Sequence, residues 1–144
     1  MGRIKLTMPT GFSFETRIPV RITDLNYGGH VGNDTILSII HEARMQFLRH
    51  AGYTELNFGG ASLIMSDVAI EFKKELFYGE EVIAKVMATE FSRVGFDLYY
   101  QLLKTVSGET KIIANARTGM VCFDYINKKM TAIPTEVKEK IQSL

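Results

Sequence analysis

Asp24-Leu25-Asn26-Tyr27-Gly28-Gly29-His30-Val31-Gly32-Asn33-Asp34 runs directly into Thr35-Ile36-Leu37-Ser38-Ile39-Ile40-His41-Glu42-Ala43-Arg44-Met45-Gln46-Phe47-Leu48-Arg49-His50, and this junction decides the fold. The first stretch is dense in Gly, Asn and Asp and predicts a shaped loop. In the second, Ile36, Ile39, Ile40, Ala43 and Phe47 recur at three- and four-residue spacing, so they share one face of a helix. Leu37, Met45 and Leu48 widen that stripe, which predicts an unusually buried helix. Asn33 or Asp34 is placed to cap its start, and Gly52 to stop it.

Working outward, Phe12–Thr23 (FSFETRIPVRIT) alternates apolar and polar residues in its second half and reads as a strand. Pro19 argues for an edge position or a bulge. After a connection over Tyr53–Ala61 come four strand-like segments, Ser62–Leu76, Glu81–Arg93, Phe96–Val106 and Thr110–Asp124. Turn signals separate them: Tyr78-Gly79-Glu80, Val94-Gly95 and Ser107-Gly108-Glu109. Thr135–Gln142 follows Pro134 as a short amphipathic helix, with Thr135 as its cap and Glu136 in its first turn. One strand, one long apolar helix and four more strands predict an α+β fold in a single domain over residues 1–144. A five-stranded antiparallel sheet curled around the central helix would bury its stripe. Long strands leave an edge that a second subunit can pair with, so a homodimer is expected, with tetramer formation open.

With 17 basic against 16 acidic residues the net charge is +1, which argues against a nucleic-acid footprint. The single cysteine, Cys122, excludes an intrachain disulfide and any multi-cysteine metal site, and reads as a small buried hydrophobe. No apolar run reaches signal-peptide length in the first ten residues, and none approaches the ~18 residues of a membrane helix. No membrane association and a reducing, cytoplasmic setting are expected.

The loop is where chemistry concentrates. Its glycines allow close backbone approach to a ligand, and it delivers the chain to a helix N-terminus that favours negative charge. An acyl-transfer site needs donors for an oxyanion and a polar group to direct water. Spacing alone leaves the plainer reading open, in which Asn and Asp only cap the helix and His30 only supports the loop.

Arg21–Asn33 (RITDLNYGGHVGN), followed by HEARMQFL, resembles the signature of the 4-hydroxybenzoyl-CoA thioesterase branch of the hotdog superfamily, roughly D-x-D-x-x-G-H-V-x-N leading into a helix with E-x-A-R. The resemblance continues through AIEFKKELFYGEEV and ARTGMVCFDYINKKMTAIP and covers about 120 of the 144 residues. It implies a hotdog fold and hydrolysis of an acyl thioester, carried by CoA or by an acyl-carrier protein, with no cofactor and no metal.

The family's second acidic position, its nucleophile or general base, falls here at Asn26, an amide that orients water but cannot take a proton usefully. Asp24 keeps the first acidic position. On a strand end residues two apart point the same way, so Asp24 is expected to serve as base with Asn26 holding the water. His30 and Asn33 match the family's positions: His30 polarises the carbonyl or supports the loop, and the Asn33 N–H supplies an oxyanion donor. Tyr27, Gly29 and Asp34 are expected beside the substrate, Asp34 chiefly as the cap. Leu63, Ile64 and Met65 are expected to line the acyl pocket, and Lys73, Lys74 and Arg93 to contact CoA phosphates. Glu42 and Arg44, two apart on the helix, imply separate structural contacts, and His41 and His50 a helix surface. Two other functions remain: an acyl-CoA-binding protein without turnover, which Asn26 keeps alive, and a hotdog hydratase or dehydratase of 3-hydroxyacyl thioesters. The hydratase loop resembles D-x-N-P-x-H, and the match is poor: Asp24 and His30 are six apart, with Tyr27 at the proline position.

Overall fold

The computed structural model describes residues 2–144. Five long strands, β1 Phe14–Pro19, β2 Ser62–Phe72, β3 Glu81–Thr89, β4 Gly95–Val106 and β5 Glu109–Asp124, form one antiparallel sheet in the order β1-β3-β4-β5-β2. A two-residue strand, β6 Lys129–Met130, pairs with β5. The helix α1, Asn33–Ala51, lies in the concave side, and α2, Thr135–Gln142, packs against the core through Val137 and Ile141.

The apolar stripe decides which way α1 faces. Ile36, Ile39, Ile40, Ala43, Phe47 and Leu48 are buried against inward residues of the sheet such as Val86, Leu98, Ala116 and Met120. Burying one such large side chain contributes about 1.5–3 kcal/mol. Leu37 and Met45 are only half-buried, since they lie at the margins of the stripe. The helix starts at Asn33, two residues before the expected Thr35, because its N-cap is Gly32 and not Asn33 or Asp34. It stops as expected at Gly52, whose φ of 91° is left-handed. The cap of α2 is likewise Pro134, not Thr135.

Pro19 ends β1 at one edge of the sheet, where its missing N–H costs no ladder bond. The predicted first strand ran too far, however: Ile22–Asp24 is a 3-10 turn. At the other edge β2 pairs only with β5, and a bulge between Met65 and Asp67 keeps Met65 and Val68 on the concave face, opposite Met120 and Thr118. The strand stops at Phe72, short of the predicted Leu76, because the N–H groups of Lys73 and Lys74 both turn to the Ile113 carbonyl. No described helix is long and apolar enough to cross a membrane.

Candidate active site

The glycine-rich stretch folds as a small hairpin, in which Leu25 bridges Val31 and the Asn26 N–H donates to the His30 carbonyl at 2.9 Å. Gly29, at φ 82°, supplies the left-handed residue that the turn needs. The Asn26 amide oxygen accepts the Gly28 N–H at 2.8 Å, so this side chain shapes its own turn. Tyr27 is fully exposed at the tip.

Two contacts aim the far arm of the hairpin. The Val31 N–H donates to the Leu76 carbonyl at 2.8 Å, tying the loop to the segment after β2. His30 Nδ1 lies 3.1 Å from the Val31 carbonyl oxygen. A carbonyl only accepts, so Nδ1 carries the proton in this contact and Nε2 of the neutral ring presents a lone pair. His30 and Asn33 line one cavity of about 230 Å³ together with Ile36, Phe72, Lys73, Lys74 and Glu75. The start of α1 opens there, with Gly32 as a cap that has no side chain to cover the first N–H groups. Asp34 is exposed in that first turn. An imidazole acceptor, unpaired backbone donors and two cations thus surround one space.

Asp24 is elsewhere. Its carboxylate accepts the Arg21 N–H at 2.8 Å and pairs with the Arg21 guanidinium at 3.3 Å, and only 7% of the residue is exposed. It lines a different cavity of about 280 Å³, with Arg17, Arg21, Ser38, Glu42 and Gln46. The expectation that Asp24 and Asn26 point the same way rested on a strand that is in fact a 3-10 turn, so the two do not converge.

The three residues read as an acyl pocket also separate. Leu63 is core, and Ile64 points to the opposite face of the sheet, across from Val121. Met65 alone borders a cavity, of about 320 Å³, on the α1 flank with Leu37, Ser38, His41 and Arg44. Arg93 is exposed in the β3–β4 connection and borders none of these spaces, whereas Lys73 borders two. Glu42 and Arg44 make separate contacts as expected: Glu42 accepts from Gln46, while buried Arg44 donates to Glu55 and to Tyr100 Oη, both at 3.3 Å. Glu75 and Phe72 escaped the sequence reading, and Ile36 was read only as part of the buried stripe. The signal for them is long-range, namely the Val31–Leu76 bond that folds the end of β2 over the loop.

The model of the thioesterase-like superfamily matches residues 20–141, the hairpin and both walls of its cavity included. The chain belongs to that superfamily. This thioesterase is 31% identical over 119 residues to a 1,4-dihydroxy-2-naphthoyl-CoA hydrolase of Gloeothece citriformis, covering 80% of this chain and 82% of the relative. It is 28% identical over 128 residues to the enzyme of the same name from Acaryochloris marina, covering 85% and 91%. Its fold matches the crystal structure of a 1,4-dihydroxy-2-naphthoyl-CoA thioesterase from Synechocystis with a TM-score of 0.81 at 22% identity, over 91% of this chain and 96% of that one. It matches equally an Asp-to-Asn variant of 4-hydroxybenzoyl-CoA thioesterase in complex with 4-hydroxybenzoyl-CoA, with TM-score 0.81 at 14% identity, over 91% and 99%. The fold is the hotdog fold, and the enzyme is a thioester hydrolase.

Proposed function

We propose that the enzyme hydrolyses acyl-CoA in the cavity between the hairpin and the end of β2, with His30 as the group that takes the proton from water. The observation that carries this is the anchored ring: Nδ1 is held by the Val31 carbonyl, so Nε2 is the acceptor in a space shared with the helix start. Water attacks the thioester carbonyl carbon while its proton passes to Nε2. The tetrahedral oxyanion is held by the N–H groups that open α1, Asn33 first. The carbon–sulfur bond then breaks, and the imidazolium returns its proton to the thiolate, leaving a carboxylic acid and CoA thiol. Glu75 supplies a negative charge beside the transient imidazolium. Asp24 and Asn26 keep the hairpin in shape and take no proton.

The acyl group runs from this cavity along the concave side of β2, over Val68 and Met65, toward Leu37 and His41. The relatives act on a bicyclic aromatic acyl group, and an aromatic or other bulky acyl chain suits a groove walled by these apolar side chains. The working form is a homodimer that closes this groove, in a reducing cytoplasm where Cys122 stays a thiol.

Thiol release from a panel of acyl-CoAs, short, long and aromatic, tests the reading. Turnover with a preference for bulky acyl groups is expected, and His30→Gln should lower kcat by roughly 10²–10⁴-fold. Undiminished kcat in that variant would remove His30 from the chemistry. Tight acyl-CoA binding without thiol release would replace the enzyme by a binding protein.

A further inference from the structure

The N-terminal arm, residues 2–11, precedes the segment that matches the superfamily and lies along the end of β2. Arg3, Ile4 and Lys5 form one wall of a groove of about 600 Å³, and Ile70, Glu71, Phe72 and Lys73 form the other. Phe72 and Lys73 also line the His30 cavity, so the groove and the cavity adjoin. The charges are unbalanced. Lys73 Nζ pairs with Glu71 at 3.1 Å, whereas Arg3, Lys5 and the nearby Lys74 have no carboxylate partner among the described residues. Glu71 also accepts a weak bond from the Leu6 N–H at 3.5 Å, which ties the arm to the strand. Between the cations, Ile4 and Phe72 are 57% and 47% exposed, two apolar faces left in water.

We infer that this groove binds the 3′-phospho-ADP end of CoA, the phosphates on Arg3, Lys5 and Lys74 and the adenine against Ile4 and Phe72. The inference rests on the acyl-CoA reading above and names the part of the enzyme that holds the carrier. The chemistry matches on three counts. Three uncompensated cations suit a group that carries a diphosphate and a phosphomonoester. Apolar side chains between cations suit a flat base attached to those phosphates. The shared Phe72 and Lys73 put the groove next to the proposed thioester position, so a single pantetheine arm can bridge them. A carrier protein offers the same arm with one phosphate and no adenine, so it leaves most of these contacts unused.

The test compares wild type with the double variant Arg3→Ala, Lys5→Ala on benzoyl-CoA, benzoyl-pantetheine and a benzoyl-loaded carrier protein, alongside calorimetric binding of CoA thiol. The expected result is a KM for benzoyl-CoA raised roughly tenfold, as two exposed ion pairs allow, with kcat held within about twofold. The preference for benzoyl-CoA over benzoyl-pantetheine should shrink by the same factor, and wild-type affinity for CoA thiol should fall with added salt. An unchanged preference ratio and unchanged binding of CoA thiol would overturn the inference. So would a loss confined to the carrier-protein substrate, which would assign the arm to protein docking. If wild type turns over no thioester, the hydrolysis reading fails by itself. Binding of CoA thiol in wild type and its loss in the double variant would then still support the groove.

Discussion

Cys122 is fully buried in β5 opposite Leu63, and burial pushes its thiol up to about 11. A thiol in an apolar strand resists ionisation because the thiolate would lose its water. In the unfolded chain the thiol ionises from about pH 9, so from there to about 11 the unfolded state releases a proton that the folded state keeps. Stability therefore falls with rising pH, by up to about 1.4 kcal/mol per pH unit from this group. Thermal melts between pH 8 and 10.5 should show a steeper decline for wild type than for Cys122→Ala, whatever the offset between the two; parallel curves would refute the assignment. This residue was legible in the sequence, since a lone cysteine in an apolar run is most often buried. Asp24 was not. Its partner Arg21 stands only three positions away, but the pairing shows only once the strand is known to end and a 3-10 turn to begin. The role proposed for His30 was half legible: its place in the motif marked it, but the tautomer depends on a backbone contact that no spacing predicts.

At the scale of elements, the helix and the succession of strands along the chain could be read because periodicity reports a buried face directly. The stripe of α1 and the turns between β3, β4 and β5 follow from local pattern alone. Where β2 ends could not be read, because the competing acceptor is the Ile113 carbonyl, some forty residues away in sequence. The strands that form the floor of the core also set a requirement on one turn residue. Gly95 begins β4 opposite Val121, and a Cβ there would collide with the Met120 carbonyl, a backbone atom that cannot swing aside. Gly32→Ala is a gentler case, since its Cβ would meet the Asp34 carboxylate, the movable end of a side chain. Gly95→Ala should therefore cost about 1–3 kcal/mol by overpacking, read as a lowered urea midpoint, while Gly32→Ala loses only the roughly 0.5–1 kcal/mol by which Ala is the poorer N-cap. Equal midpoints would mean that the β4–β5 pair yields more readily than its backbone contact implies.

At the scale of the molecule, the sheet is incomplete on one side. Among the described residues β2, eleven residues long, pairs only with β5, so its other row of N–H and C=O groups has no strand beside it. Along the same edge Met65, Val68 and Phe72 turn exposed apolar faces toward α1, at 37%, 38% and 47%. A long free edge with an apolar flank invites pairing with another chain. If the partner is a second copy, a two-fold axis sets β2 against β2 over the part of the strand that the N-terminal arm leaves free. Such pairing would also roof the proposed acyl groove, so assembly and turnover should fail together. Val68→Lys tests this near the middle of the strand. Asp67 faces the other side of the sheet and is already held by Arg117, so it cannot neutralise the new ammonium. Because the axis repeats the substitution, the dimer should weaken by roughly 2 kcal/mol or more, about thirtyfold in Kd. Sedimentation should show monomer at concentrations where wild type is dimeric, with the circular dichroism spectrum intact and thiol release reduced in proportion to the dimer lost. Full activity from a monomeric Val68→Lys protein would show that one chain holds the whole acyl site. A dimer of unaltered Kd would move the interface off β2.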